Sequence, residues 1–529
     1  MRTRRVAHAV RLLGAGLLVS LAGLPASAAP PLSYQELTFT QNDEWATSTE
    51  RTPDGGTIAA GVALNAVTAR DIMLEKLDKC GNRQWVRHYS NPFPNGQLEA
   101  HSVRVAKDGN YVVAGEMRPS PIPGHEIFLM KVNAASGAVM WAHVYQGDGF
   151  STDGQTVTRE LAGAQGGWVL VGRRSNPPQG GLRGGVLITT DANGNQTSGC
   201  VWTDVRHGPT TYTSFNDVRQ NPDGSFTVVG WSRRGDVGPV DLLALRTQTP
   251  NPCGALRWSN VYLQNQPLTE QFFGEGMDLA PAYTANGQNF PAGYIFTGPW
   301  LNANNANVGS SVVRTDPNGV PMWMFTTDTF WDSQSVRARP HGGFVLAGRE
   351  AQNAVGTGFN GSLMRVSNTG NISHQVRFFN TNFPNTPELA HEAIPAPDGG
   401  VFAVADARNY FGGASRDFWT SKTNSLLSTV SATPTVNVCD ERIQPQQAPR
   451  DPFTPIQMER SDQEPSQEVD VIFTPRDPFV RDICTHTCGC TSAPSRMTLW
   501  LPFDEPAGVT AANIRAAAFP GTDFNGVAH

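Results

Sequence analysis

The sequence of 529 residues has little charge, since Asp, Glu, Lys and Arg make up 16% of it, against about 25% in an average protein. It also lacks a basic excess, because 40 basic residues face 46 acidic ones and the formal net charge is −6. Beyond the N-terminus, no apolar run approaches the ~18 residues of a membrane span. These absences exclude a coiled coil, a charge-rich disordered chain and a basic nucleic-acid binder, and no membrane span is predicted.

Glycine and proline are abundant instead, with 53 and 39 residues. Together they exceed the average share of about 12%. Frequent turn residues between short β-branched and aromatic runs favour many short strands. Composition therefore predicts an all-β protein.

The N-terminus has the pattern of a secretory signal peptide. Arg2, Arg4 and Arg5 precede an apolar run over 12–24, which is followed by Ala26-Ser27-Ala28. A charged start, a short apolar core and a small-residue cleavage site predict that 1–28 is removed on export. We therefore expect a protein that is secreted, periplasmic or on the cell surface, with a net charge of about −10 once four arginines are removed.

Export also sets an expectation for the seven cysteines. In an oxidising compartment most of them should pair, and the odd number leaves at least one over. The disulfide candidates are the late cysteines, Cys439, Cys484, Cys488 and Cys490. Together with His486, the last three could instead hold zinc, although export favours disulfides.

The strongest signal is an internal repeat. One copy reads Thr52-Pro53-Asp54-Gly55-Gly56, then a β-branched run, then Lys76-Leu77-Asp78, Gly81 and Trp85. Copies recur every ~57 residues. The seven copies centre on Asp54, Asp108, Gly166, Asp223, Tyr294, Gly342 and Asp398.

Each copy reads as four strands. The Asp-Gly or Gly-Gly pair supplies the positive φ of a tight hairpin between the first two. A tryptophan lies in the fourth strand, and in three copies a tyrosine follows four residues later, as Tyr89 follows Trp85. An even spacing places both rings on one strand face, where we expect them to pack between adjacent sheets.

Seven four-stranded units predict a β-propeller over 36–438. The segment Glu36–Thr40 precedes the first copy and reads as the fourth strand of the last blade, where it would close the ring. The repeat resembles those of bacterial secreted propeller proteins, with Asp-Gly-Gly, Ala-Gly, Leu-x-Lys-Leu-Asp and a later Trp. That resemblance implies a fold and says little about function.

The composition changes after Val438. Residues 439–496 are rich in Pro, Gln, Asp and Glu, which predicts a disordered linker. The final segment, 497–529, holds Trp500-Leu501-Pro502-Phe503-Asp504-Glu505 and resembles the start of a laminin-G-like, concanavalin-A-like jelly roll. Its length is too short for such a sandwich, so only an incomplete start is predicted.

Candidate sites are sparse, because the sequence holds none of the common hydrolase, phosphate-loop or metalloprotease motifs. Four acids open the third strand of their copies: Asp71, Glu126, Asp241 and Asp417. They could ring one face and bind a cation such as calcium. The structural alternative is that each carboxylate accepts hydrogen bonds within its own blade.

We expect a non-enzymatic binding or scaffold protein without a cofactor, whose protein or glycan ligand binds on a propeller face. The jelly-roll resemblance implies glycan or cell-surface contact. Two enzyme alternatives stay open. The Asp78 to Trp85 pattern also resembles the repeat of quinoprotein dehydrogenases, and Thr52–Gly56 resembles the turn of the sialidase Asp-box.

Overall fold

The computed structural model describes most of the chain between 33 and 427 and parts of the remainder. The described residues are 33–39, 43–65, 69–91, 96–118, 126–146, 157–162, 166–174, 183–204, 206, 211–233, 238–262, 270–285, 288–301, 307–328, 330–351, 359–380, 388–408, 416–425, 427, 438–442, 448–449, 453–455, 458–461, 467–470, 474–476, 481–487, 510–511 and 526–527. The predicted signal peptide, 1–28, lies outside them.

Every regular element of the described residues is a β-strand, as the composition predicted. The first group is β1 (Ser33–Phe39), β2 (Glu44–Arg51), β3 (Thr57–Asn65), β4 (Ala69–Leu77), β5 (Arg83–Ser90), β6 (Gln97–Val105), β7 (Tyr111–Arg118), β8 (Glu126–Val132) and β9 (Val139–Gln146). The next group is β10 (Val157–Glu160), β11 (Trp168–Arg174), β12 (Gly184–Thr190), β13 (Gln196–Asp204), β14 (Tyr212–Gln220), β15 (Phe226–Arg233), β16 (Val240–Thr247) and β17 (Leu256–Tyr262).

The later strands continue the same pattern. They are β18 (Gln271–Phe272), β19 (Gly276–Ala280), β20 (Tyr283–Ala285), β21 (Gln288–Phe290), β22 (Gly293–Leu301), β23 (Asn307–Thr315), β24 (Pro321–Thr327), β25 (Trp331–Ala338), β26 (Phe344–Ala351), β27 (Phe359–Val366), β28 (Ile372–Asn380), β29 (Leu389–Pro395), β30 (Val401–Arg408) and β31 (Arg416–Thr423). The tail adds β32 (Val438–Arg442), β33 (Ala448–Pro449), β34 (Phe453–Pro455), β35 (Met458–Ser461), β36 (Gln467–Asp470), β37 (Thr474–Arg476), β38 (Arg481–Thr487), β39 (Thr510–Ala511) and β40 (Gly526–Val527).

Four-stranded antiparallel units, numbered I to VII here, organise these strands. Units I to IV are β2–β5, β6–β9, β10–β13 and β14–β17; unit V is β19 with β22–β24; unit VI is β25–β28; unit VII is β29–β31 with β1. A parallel bridge between Arg70 and Gln97 joins units I and II into one ten-stranded sheet. Strand β1 pairs with β31, as was predicted for the segment around Glu36–Thr40.

Tight glycine turns close one end of each unit, which we call the turn end. Gly55 has a φ of 85° between β2 and β3, and Gly81 has a φ of 82° between β4 and β5. A non-glycine residue at such φ values is strained. The opposite end, where the second strand leads to the third and the fourth to the next unit, is called the loop end.

Hydrophobic clusters lie between consecutive units. Ile58 and Tyr89 of unit I share a cluster with Val113 of unit II, and Val404 and Phe418 of unit VII share one with residues of unit I. Close packing of two half-buried sheets is how such units bury their apolar faces.

Tryptophans of the fourth strands contact the turn of the following unit. The indole Nε1 of Trp85 donates to the carbonyl of Ala134 at 3.0 Å, and that of Trp258 donates to Pro317 at 3.1 Å. The Tyr89 hydroxyl donates to the Gly137 carbonyl at 2.6 Å. The prediction that the tryptophan and tyrosine rings lie between adjacent sheets is confirmed.

The tail differs from the disordered linker expected over 439–496. Strands β32 to β38 pair antiparallel with the outermost strands of units VI, V, IV, III, II, I and VII, in that order. Backbone pairing needs no apolar side chains, so polar, proline-rich segments can cover an unpaired sheet edge. Of the predicted jelly-roll start, only the pairing of β39 with β40 is described.

No helix among the described residues is long and apolar enough to cross a bilayer.

Candidate functional site

The first strands of most units carry a bulge at the same point. The register shifts between Ala46 and Ser48, between Ala100 and Ser102, between Phe215 and Asp217, and between Ala390 and Glu392. A bulge adds an unpaired residue and turns the side chains that follow. The residue after each bulge thereby points towards another unit.

Side chains after the bulge accept hydrogen bonds from backbone N–H groups of another first strand. Ser48 Oγ accepts from Val103 at 3.0 Å, and Asp217 Oδ2 accepts from Met277 at 3.1 Å. Glu392 Oε2 accepts from Thr49 at 3.1 Å, which links unit VII to unit I. The same kind of contact therefore joins consecutive first strands and also joins the last to the first.

Charged side chains of the first strands form one continuous network, which we call the inner charge network. Glu392 Oε1 contacts Arg104 Nη2 at 3.0 Å and also pairs with Arg337. Arg337 Nη1 reaches Asp217 Oδ2 at 3.3 Å, and Arg219 Nη1 contacts Asp217 Oδ1 at 2.7 Å. Residues far apart in sequence thus share carboxylates, and the ion pairs hold units II, IV, VI and VII together.

Three further units join the same network. Arg159 Nη2 of unit III lies 3.1 Å from Asp217 Oδ1, and Arg219 Nε lies 2.8 Å from Asp278 Oδ1 of unit V. Glu50 of unit I lies 3.9 Å from Arg104 Nε. Every four-stranded unit therefore contributes at least one charged side chain.

The arginines keep the two central carboxylates ionised. Burial alone would raise the pKa of Asp217, but Arg159, Arg219 and Arg337 lower it to about 2. Burial also opposes ionisation of Glu392, and Arg104 and Arg337 hold its pKa well below the usual range. Carboxylates that stay ionised at neutral pH suit a rigid charged support rather than proton transfer.

A cluster of arginines and aromatic rings lies at the loop end of units III and IV. The guanidinium carbons of Arg183 and Arg233 lie 4.2 and 4.8 Å from the Tyr212 ring centroid. Those of Arg173 and Arg233 lie 5.4 and 5.9 Å from the Trp231 centroid. We call these five residues the loop-end cluster, and cation–π contacts of this kind hold guanidinium groups in place.

The cluster is only partly covered. Arg183, Tyr212 and Arg233 are partly exposed, whereas Arg173 and Trp231 are buried. The exposed members present guanidinium donors, which bind carboxylate or sulfate groups in a bidentate manner. The arrangement can hold an acidic group beside an aromatic ring.

Glu275 lies nearby in the loop-end part of unit V. Asn216 Nδ2 donates to Glu275 Oε2 at 2.8 Å. Burial, reinforced by the charge of Asp332, raises the pKa of Glu275 to about 8. At neutral pH this carboxyl group is therefore mainly protonated and does not cancel the positive charge of Arg173.

The four predicted cation ligands lie in four different units. Ser90 Oγ donates to Asp71 at 2.9 Å, and Asp241 pairs with Arg206 at 2.9 Å. Asp417 is buried and Glu126 is partly buried. Within the part of the chain that the structure describes, no three His, Cys, Asp or Glu residues are grouped to hold a metal ion.

The predicted disulfide candidates fall mostly outside the description. Cys439 and Cys484 lie in β32 and β38, of which only the backbone is described, and Cys488 and Cys490 lie outside the described residues. Cys80, which was not a candidate, is disulfide-bonded.

The inner charge network was missed by sequence reasoning, although a signal existed. An arginine after a β-branched residue recurs shortly before the turn, as in Val103-Arg104, Val218-Arg219 and Val336-Arg337. The loop-end cluster was missed as well, because its residues come from two units and no local sequence pattern marks that they lie together.

No protein-family model and no curated protein matches the sequence. Among solved structures, the chain is similar to the crystal structure of a protein of unknown function from Dyadobacter fermentans DSM 18053, at 9% sequence identity and a TM-score of 0.40, over 74% of this chain and 97% of that one.

Proposed function

We propose that the chain is an exported, non-enzymatic seven-bladed β-propeller that serves as a binding or scaffold module. Seven four-stranded units, each packed on the next, support this architecture. In a propeller, each unit is one blade and the first strands line the central axis. The inner charge network would then fill the axis.

Contacts between units VII and I support closure of the ring. A Cβ added at Gly81 would lie 2.6 Å from the Tyr34 ring of β1, just as one at Gly137 would lie 3.1 Å from the Tyr89 hydroxyl. The Glu392 contact to Thr49 repeats the link seen between other first strands. The last unit thus contacts the first as each unit contacts its successor.

The loop-end cluster carries the proposal of a binding function. Its guanidinium groups suit the carboxylate or sulfate of an acidic glycan, and its aromatic rings suit the apolar face of a sugar. Loops at the end of a rigid scaffold commonly carry ligand sites. We therefore propose an acidic cell-surface glycan as the ligand.

Export is part of the same proposal. The signal-peptide pattern of 1–28 supports it, and the disulfide at Cys80 suits an oxidising compartment.

A glycan array with the full chain tests the binding function. We expect binding to sulfated or uronate-containing glycans that weakens at least tenfold in Arg233→Ala and is unchanged in the control Arg51→Ala, an exposed arginine of unit I. No binding to any acidic glycan, or equal loss in both variants, would refute the proposal. Electron-microscopy class averages without seven blades would refute the architecture.

A further inference from the structure

The turn ends of four units share the same ion pair. The aspartate of the Asp-Gly turn pairs with a cation of the third strand. The pairs are Asp54–Lys76 at 2.8 Å, Asp108–Lys131 at 2.7 Å, Asp223–Arg246 at 2.6 Å, and Asp398–Lys422. The repeat therefore supplies one carboxylate for each of these cations.

Units V and VI keep the cation but lose the aspartate. In unit VI, His341 stands where the aspartate lies in other turns, and the cation is Arg365. In unit V, the turn is replaced by a longer segment that contains β20 and β21, and the cation is Arg314. Both arginines lie opposite their second strands in the same register as Lys76, as Arg314 pairs with Ile295 and Lys76 with Ile58.

Both arginines contact backbone carbonyls rather than carboxylates. Arg314 Nη2 donates to Pro281 at 2.9 Å, while its buried Nε and Nη1 have no hydrogen-bond partner. Arg365 Nη2 donates to Gly399 at 2.8 Å, and its buried Nε also has no partner. A carbonyl carries no full negative charge, so neither arginine has a carboxylate partner, and Arg314 lies instead over the rings of Tyr283 and Phe344 at 4.8 and 5.4 Å.

Arg339 adds a third cation at the same end of unit VI. It is partly buried, and it forms no ion pair with an acidic residue of the described part of the chain. Burial lowers its pKa, and burial together with the charge of Arg339 lowers the pKa of Arg365 to about 10. Positive charge is thus concentrated at the turn ends of two consecutive units.

A cavity of about 570 Å³ lies between units IV, V and VI, and Arg339 is among its lining residues, whereas Arg314 and Arg365 are not. Its walls are mainly apolar, and they include Pro222, Leu279, Pro281 and Tyr294, with Arg246 and Arg339 as charged members. Sites for small ligands typically have volumes of roughly 300–1,000 Å³, apolar walls and a few polar groups. The cavity meets each of these criteria.

We propose that this cavity binds a small organic anion, with a carboxylate on an apolar, ring-sized body. Arg339 contacts the carboxylate, because Arg246 is already paired with Asp223 at 2.6 Å. The proline, leucine and tyrosine side chains contact the body. Inorganic phosphate suits the site poorly, because it has no apolar part to bury against these walls.

Isothermal titration calorimetry of the full chain with phenylacetate, phenylacetamide and inorganic phosphate tests this proposal. We expect phenylacetate to bind, and the neutral amide and phosphate to bind at least tenfold more weakly. Absence of phenylacetate binding at concentrations up to about 10 mM would overturn the proposal, because a weaker Kd corresponds to less than about 3 kcal/mol of binding free energy. Equal binding of the amide or of phosphate would also overturn it.

Variants locate the site. Arg339→Ala is expected to weaken phenylacetate binding at least tenfold, Arg339→Lys to weaken it less, and the exposed control Arg51→Ala to leave it unchanged. Unchanged binding in Arg339→Ala, with a circular-dichroism spectrum like that of the wild type, would overturn the assignment.

Discussion

At the scale of single residues, similar carboxylates have opposite pKa shifts because their neighbours differ. Three arginines surround Asp217 and lower its pKa to about 2. Glu275 accepts a hydrogen bond from the neutral amide of Asn216 and has no such cluster of cations around it. Burial, reinforced by the charge of Asp332, therefore raises its pKa to about 8. One group is therefore fixed as an anion, and the other is mainly neutral at physiological pH.

Glu275→Gln is expected to stabilise the protein at alkaline pH. The folded pKa of Glu275 lies above its ordinary value of 4.5, so its contribution is complete below about pH 4 and is lost as pH rises through 8. The glutamine has no charge to bury at alkaline pH. We therefore expect its free energy of unfolding at pH 9 to exceed that of the wild type by about 1–3 kcal/mol, a range that allows for the partial exposure of the side chain. Urea unfolding at pH 4 and pH 9 measures it, and an equal difference at both pH values would contradict the explanation.

At the scale of the elements, the fourth strand and the following turn act as one docking unit. The Tyr89 and Tyr145 hydroxyls each donate to a turn glycine carbonyl at 2.6 Å, that of Gly137 and that of Gly194. Tyr89 is fully buried, so its hydroxyl depends on that carbonyl for a hydrogen-bond partner.

Tyr89→Phe is expected to lower the free energy of unfolding by about 1–2 kcal/mol, because the buried Gly137 carbonyl loses its donor. Tyr111→Phe is a matched control, since the Tyr111 hydroxyl forms no hydrogen bond with the described residues, and the variant should change the free energy of unfolding by less than about 0.5 kcal/mol. Chemical denaturation compares the two variants. Equal effects would show that the Tyr89 hydroxyl does not hold the two units together.

The sequence predicted these elements well and their side-chain network poorly. Turn glycines such as Gly55, the tryptophan positions and the pairing of β1 with β31 follow from local pattern and repeat spacing. The link between Arg104 and Glu392 joins residues 288 apart, and it depends on a bulge that no local pattern marks. The tail strands were missed because their pairing uses backbone groups, which every residue other than proline carries in full and which leave no sequence pattern.

At the scale of the whole molecule, the inner charge network makes stability sensitive to acid. Asp217 and Glu392 have folded pKa values below their ordinary ones, so the stability they contribute is present above about pH 4. It is lost as the pH falls through the folded values. Because the network includes residues of every unit, protonation weakens contacts throughout the molecule.

The free energy of unfolding is expected to be level between pH 7 and 5 and to fall by about 2 kcal/mol or more between pH 4 and 2. Asp217→Asn should be less stable than wild type at pH 7 by about 3–5 kcal/mol, since it leaves arginines buried without their partner. Its free energy of unfolding should also fall less than that of the wild type between pH 4 and pH 2. The exposed Asp328→Asn serves as control, and an acid profile identical to wild type in Asp217→Asn would contradict the role of the network.

The order in which the tail pairs with the units has a mechanical consequence. The first tail strand pairs with unit VI and the last with unit VII, so each short strand is held by a different unit. A pulling force on the end of β38 would load one strand at a time, beginning with the seven-residue β38 and passing to the three-residue β37 and the four-residue β36. The tail strands would therefore detach one after another, in a series of small steps, before the force acted on the four-stranded units.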